Sequence, residues 1–98
     1  MARHAILLVA LVLAACDGDE TKQLEKARSW RATAVLVAED WTRGEVPSAY
    51  ARDALKKAAD QLAPGPSPQA ARQAADLGVA VARDDRAAAR RLIGELRR

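Results

Sequence analysis

The chain has 98 residues, of which half are hydrophobic and 30% are charged, with one cysteine and one histidine. This length allows one small domain, and a single cysteine excludes both an intramolecular disulfide and a cluster of metal-binding thiolates. The net charge of +3 is too small to indicate a nucleic-acid-binding protein. We therefore expect one small domain with no nucleic acid among its partners.

The first residues of the chain are arranged like a secretory signal. Arg3 provides a positively charged start, and residues 5–13 form an uninterrupted apolar run. Two small residues, Ala14 and Ala15, then lead to Cys16. The run is too short for a membrane span, which needs about 20 apolar residues. It is typical of the hydrophobic part of a signal peptide.

Leu13-Ala14-Ala15-Cys16 resembles the lipobox of bacterial lipoprotein precursors. The resemblance implies cleavage between Ala15 and Cys16, a diacylglycerol on the cysteine sulfur and, commonly, an acyl group such as palmitate on the new amine. The mature protein is then anchored in the membrane of the bacterial cell envelope and faces the periplasm or the exterior. Asp17 matches the aspartate that keeps lipoproteins of enteric bacteria at the inner membrane, with the outer membrane as the alternative.

This cleavage divides the chain into three parts. Residues 1–15 are the signal peptide, residues 16–20 are the lipidated cysteine with a short acidic tether, and residues 21–98 are the predicted domain. The cut leaves 83 of the 98 residues and removes His4, the only histidine.

Two amphipathic helices are predicted in the first half of the domain. Helix 1 begins at about Thr21 and ends at Arg43 and Gly44, since glycine readily adopts the positive φ of a helix end. Its apolar residues recur at three- and four-residue steps and are Leu24, Ala27, Trp30, Ala34, Val37 and Trp41. Helix 2 is predicted over residues 47–62, with Pro47 at its first position. Its apolar stripe comprises Ala51, Leu55, Ala58 and Leu62.

Residues 63–68 read APGPSP and interrupt the helical pattern. Ser67 is predicted to cap helix 3 and Pro68 to be its first residue. The apolar stripe of helix 3 comprises Ala70, Ala74, Leu77 and Val81.

The sequence at Asp84-Asp85 has two interpretations. An unbroken helix to Arg98 would bring Asp85 near the apolar face, which is costly for a carboxylate without a partner. A break there would instead make one aspartate the cap of a fourth helix, worth about 1 kcal/mol. We favour the break, because the later apolar residues point away from those of helix 3; they are Ala88, Ala89, Leu92, Ile93 and Leu96.

The predicted fold is therefore all-α, a small antiparallel bundle of two helical hairpins. The hairpins cover residues 21–62 and 67–98, with four helices, or three if helix 3 is unbroken.

Three aromatic residues and the arginines near the end of the chain are the candidate binding residues. Trp30 and Trp41 share a helix face and, with Tyr50, could form an aromatic clamp for a ligand; filling of an alanine-rich core is the interpretation we favour for both tryptophans. The candidate basic face comprises Arg86, Arg90, Arg91, Arg97 and Arg98. Such a face could bind an acidic partner or anionic lipid, but is more often simply solvated.

No catalytic residue, cofactor or metal site is predicted. The mature chain has no histidine, no serine with a visible base beside it and no glycine-rich phosphate loop. Asp84 and Asp85 are better explained as a helix cap than as cation ligands.

The sequence thus predicts a membrane-anchored envelope lipoprotein, not an enzyme, whose helical module presents a surface to a partner protein of unknown identity. The alternative is a small-ligand or lipid-binding module with a site between the hairpins near Trp30 and Trp41. The alanine-rich stripes would also allow the hairpins of two copies to associate. A filled core with an exposed apolar or basic face favours the first, and an alanine-lined cavity floored by tryptophan favours the second.

Overall fold

The computed structural model describes residues 2–98, with side chains from Glu20 onward. In these residues it contains α1 (Ala2–Thr42), α2 (Ser48–Leu62), α3 (Pro68–Ala82) and α4 (Arg86–Arg97), and no strand. The predicted all-α class and helical bundle are confirmed. The signal-peptide and lipobox predictions, Cys16 included, fall outside the residues whose side chains are described, and they stay predictions.

The four helices pack as a small antiparallel bundle. α2 makes its most extensive contacts with α3, and α1 lies against both α2 and α4. The antiparallel arrangement of α1 and α4 is seen at two places. Arg86, at the start of α4, lies over the ring of Trp41, and Arg31, about three turns before Trp41 on α1, reaches the backbone of Leu96 at the end of α4.

The core is built mainly from alanine and a few large side chains. α2 and α3 each bury the four residues of their predicted stripes, and α4 buries all of its stripe except Ala88. Alanine lets neighbouring helices approach closely, although each alanine buries little apolar area. The largest fully buried side chains are Trp41, Leu55, Leu62 and Leu77. No polar or charged residue is buried among those with described side chains.

The turn from α1 to α2 confirms the predicted helix end at Gly44. Gly44 has φ = 74°, and its N–H donates to the carbonyl of Trp41 at 2.9 Å. The N–H of Glu45 donates to the carbonyl of Asp40 at 2.8 Å. This pair of hydrogen bonds is the Schellman motif, which satisfies carbonyls left free at a helix end.

The turn from α3 to α4 has the same hydrogen bonds, with an aspartate in the left-handed conformation. Asp84 has φ = 55°, and its N–H donates to the carbonyl of Val81 at 3.1 Å. The N–H of Asp85 donates to the carbonyl of Ala80 at 2.8 Å, and its carboxylate accepts from the N–H of Ala88 at 3.0 Å. Asp85 is therefore the cap of α4, and the chain has the break that we favoured.

The cap of α3 was also predicted, whereas the start of α2 is one residue later than expected. Ser67 Oγ accepts from the N–H of Ala70 at 3.3 Å, with Pro68 as the first helical residue. Pro47 has extended backbone, at φ = −68° and ψ = 152°, and precedes the first helical residue, Ser48.

Leu24 is the main error in the predicted core, because its side chain is 52% exposed. The end of α4 lies beside Arg31, two helical turns further along α1. α4 therefore does not extend far enough to cover Leu24. Among the helices of the described residues, none combines the length and apolar character that a membrane crossing requires.

Candidate functional site

The structure separates the three aromatic residues of the predicted clamp. Trp41 is 2% exposed, whereas Trp30 is partly buried against the core and Tyr50 is exposed. Trp41 Nε1 donates to Ser48 Oγ at 3.0 Å, and the Arg86 guanidinium carbon lies 5.0 Å from the centroid of the Trp41 ring. Trp41 thus fills the core, its N–H has a hydrogen-bond partner, and its ring has a cation over it.

The five arginines of the predicted basic face are all exposed, but they do not act as one free surface. Arg86 covers Trp41 and pairs with Asp84 at 3.0 Å. Arg97 forms an ion pair and a hydrogen bond with Glu39 of α1.

The remaining three arginines of this set lie on different sides of α4. Arg91 and Arg98 are seven residues apart and share one side, toward α3, while Arg90 is about 100° round the helix from Arg91. Of these three arginines, only Arg98 also borders a groove that includes residues of α1.

A groove between α1 and α4, which we call the arginine groove, is the site that the sequence did not predict. It encloses about 430 Å³. Its lining combines apolar residues with arginines from both helices: Arg28, Arg31, Ala32, Val35, Leu36, Glu39, Leu96, Arg97 and Arg98.

The floor of the arginine groove is apolar and partly open to solvent. Leu36 is 59% exposed and Val35 is partly buried against the core. Ala32 lies one turn before Leu36, on the same side of α1. An exposed leucine alone needs no explanation, but here it lies within a concave surface bordered by cations.

Two of the four arginines in this groove are held by the bundle itself. Arg31 Nη2 donates to the carbonyl of Leu96 at 2.6 Å. That carbonyl belongs to the last turn of α4, where a cation is favoured by the helix dipole. Arg97 pairs with Glu39, which removes the one carboxylate in the lining as a partner for the others.

Arg28 and Arg98 differ from this pair. Neither guanidinium has a hydrogen bond or an ion pair with any residue from Glu20 to Arg98. Both side chains are exposed, and both lie at the end of the groove where α4 finishes. The groove therefore offers two unpaired arginines beside an apolar floor.

One sequence signal was compatible with this groove. Arg28, Ala32, Val35 and Glu39 recur at three- and four-residue steps outside the stripe that contains Trp41. This second stripe mixes cations with apolar residues, and a pattern of that kind is also expected of a solvated face. Only the position of α4 shows that the stripe borders a groove.

Two other grooves differ from the arginine groove in their lining. A more polar one adjoins the arginine groove at Arg31 and Arg98 and includes Glu95. Another, of about 310 Å³, lies between α2 and α3 over small residues, and Lys56 and Asp60 at its border pair with each other at 3.3 Å. The residues lining the described grooves do not include Trp30, Trp41 or Tyr50.

Arg43, just after the C-terminal end of α1, is a cation with several partners. Arg43 lies 2.6 Å from Asp40, 3.4 Å from Glu45 and 3.8 Å from Glu39. The hydrogen bond and negative charge of Glu45, with a further contribution from Asp40, raise the pKa of Arg43. These contacts are solvent-exposed, and such pairs contribute little to stability.

The side chains described contain no group of three or more metal-binding residues, and two of the serines are engaged in the fold. Ser48 Oγ accepts from Trp41, and Ser67 Oγ caps α3. Comparison with known proteins found no matching family model, no matching curated protein and no matching solved structure.

Proposed function

We propose that this protein is a lipid-anchored component of the bacterial cell envelope, without enzymatic activity, whose helical domain presents the arginine groove to a partner protein. The anchor rests on the resemblance of Leu13-Ala14-Ala15-Cys16 to a lipobox. The domain faces the periplasm or the exterior, with the inner membrane favoured by Asp17.

The observation that carries the binding role is the arginine groove itself. It joins an exposed leucine, Leu36, to two arginines, Arg28 and Arg98, that have no partner within residues 20–98. Protein interfaces commonly combine an apolar centre with a polar border, and arginine is enriched in them.

The packing of the aromatic residues supports this role over a ligand site between the hairpins. Trp41 is buried, donates a hydrogen bond to Ser48 and is covered by Arg86, whereas Tyr50 is exposed to solvent. A ligand clamp at Trp30 and Trp41 would require the core to open, and burial of Trp41 is a large part of what stabilises that core.

Two measurements test the proposal. Mass spectrometry of the mature N-terminus should find a chain beginning at a lipidated Cys16, and Cys16→Ser should abolish both the lipid and the membrane association. An unmodified cysteine in a chain that begins at Met1 contradicts the anchor.

Site-specific photocross-linking in intact cells tests the binding role. A photoreactive amino acid at Leu36 should form a protein adduct, whereas the same amino acid at Tyr50 should not. The two positions match because Leu36 is 59% and Tyr50 57% exposed, but only Leu36 lines the arginine groove. Adducts with lipid alone, or equal yields of one adduct at both positions, contradict the proposal.

A further inference from the structure

We propose that the arginine groove binds an acidic amphipathic helix of the partner protein, with apolar side chains over Leu36 and carboxylates on Arg28 and Arg98. This inference rests on the proposed function and adds the chemistry and shape of the bound segment.

The length of the groove matches a short helix. Its lining on α1 extends from Arg28 to Glu39, a separation of eleven residue steps or about 17 Å, which is about three helical turns. The groove is open along its length. One side is formed by three turns of α1, and the other only by the end of α4, at Leu96, Arg97 and Arg98. An amphipathic helix laid on an apolar groove is a common mode of peptide recognition, in which apolar residues of one face contact the groove floor.

The charge of the groove selects an acidic ligand. Its lining contains four arginines and one carboxylate, and that carboxylate, Glu39, is already paired with Arg97. A guanidinium can bind a carboxylate through two parallel hydrogen bonds, which adds geometric specificity. Because Arg28 and Arg98 have no partner in residues 20–98, a ligand can bind them without breaking an existing contact there.

The same charges oppose self-association through this face. In a two-fold symmetric dimer, the identical surface of each copy meets the other. The arginine groove of one copy would then face the arginine groove of the second, and close like charges are unfavourable. A second copy is therefore a poor occupant of this groove.

The concave shape favours a helix over a membrane surface. A planar bilayer contacts the crests of α1 and α4, while Val35 and Leu96 lie lower in the groove and are partly or fully buried. Arg31 and Arg97 are also turned toward groups of the bundle, Leu96 and Glu39, instead of extending outward to lipid headgroups.

The test combines charge reversal with the cross-linking experiment at Leu36 in intact cells. In the variant Arg28→Glu/Arg98→Glu, the yield of the protein adduct should fall about tenfold or more, because two attractive charges become repulsive toward an acidic segment. The matched control is Lys57→Glu/Arg72→Glu, which changes the net charge equally at exposed positions outside the arginine groove. This control should leave the yield unchanged.

Mass spectrometry of the adduct identifies the bound segment. We expect a segment of at least three helical turns with apolar residues at three- and four-residue steps and acidic residues beside them. Substituting those acidic residues by arginine in the partner should restore the adduct with Arg28→Glu/Arg98→Glu.

The outcomes separate this inference from the proposed function. A protein adduct that is insensitive to charge reversal, or whose segment is neutral, basic or non-helical, overturns the acidic helix and leaves the binding role intact. Adducts with lipid only, with a second copy of this chain only, or with nothing overturn both.

Discussion

Several arginines at the two ends of the bundle differ in the contacts that they make. At the two-turn end, which contains the α1–α2 turn (43–47) and the α3–α4 turn (83–85), Arg43 contacts three carboxylates. In the same region Arg86 covers Trp41 and pairs with Asp84. At the one-turn end, which contains the α2–α3 turn (63–67), Arg28 and Arg98 contact no carboxylate of residues 20–98.

This difference indicates which arginines of this small domain contribute to its stability and which are available to bind a partner. At the two-turn end, Arg43 and Arg86 complete helix ends and cover the core. At the one-turn end, Arg31 and Arg97 are also held by the bundle, whereas Arg28 and Arg98 contribute little to the folded state and remain free to bind another molecule. Substituting Arg86 should therefore affect stability more than binding, and substituting Arg28 or Arg98 should affect binding more than stability.

The largest expected effect is the loss of Trp41 at the two-turn end. Trp41→Ala should lower the free energy of unfolding by about 3–5 kcal/mol, because it removes a fully buried aromatic side chain. A small domain has about 3–5 kcal/mol in total, so the variant should be largely unfolded. Trp30→Ala, nearer the one-turn end, should cost clearly less because Trp30 is only partly buried. Urea titration followed by circular dichroism measures both, and equal losses would remove this contrast.

Two glycine-to-alanine substitutions should change the stability of the domain in opposite directions. Gly44→Ala should destabilise the domain by about 1–2 kcal/mol, because Gly44 has φ = 74°, where a side chain is strained. Gly94→Ala should stabilise it by up to about 1 kcal/mol, since a Cβ there meets no atom within 4 Å and alanine is the better helix former. Thermal melting of both variants gives the two shifts. A destabilising Gly94→Ala would show that α4 needs the glycine for a reason other than space.

The helix caps at the two ends of the bundle should contribute equally to stability. Asp85→Ala, at the two-turn end, removes the acceptor for the Ala88 N–H and should cost about 1 kcal/mol. Ser67→Ala, at the one-turn end, removes the acceptor for the Ala70 N–H and should cost about the same. Chemical denaturation of the two variants under identical conditions makes the comparison. A much larger loss for Asp85→Ala would mean that the aspartate also prevents α3 and α4 from joining.

The smallest effects should come from the arginines themselves. Arg86→Ala should lower stability by about 0.5–1 kcal/mol through loss of its contact with the Trp41 ring. Arg28→Ala should change stability by less than about 0.5 kcal/mol, because the exposed guanidinium has no partner in residues 20–98. If calorimetry finds a larger loss for Arg28→Ala than for Arg86→Ala, the assignment of stability to one end and binding to the other is wrong.

The sequence by itself determined α2, α3, α4 and the end of α1, because the signals for them are local. The start of α1 at Ala2 is not among them, since the sequence predicts a start at about Thr21. The apolar spacing of α2 predicted its buried residues, and Ser67, Asp85 and Gly44 marked helix ends through hydrogen bonds and φ angles within a few residues. The resemblance of Leu13-Ala14-Ala15-Cys16 to a lipobox is likewise a local feature of the sequence.

Only the tertiary structure decided which surface is open and which arginines are free. Leu24 continues the apolar stripe of α1, yet it is exposed because α4 ends beside Arg31. Arg97 and Arg98 are adjacent in the chain, but only Arg97 reaches Glu39 on α1. These outcomes depend on where a distant helix ends and on which residues face each other across the bundle. No spacing within a single helix contains that information, and the arginine groove could not be predicted from it.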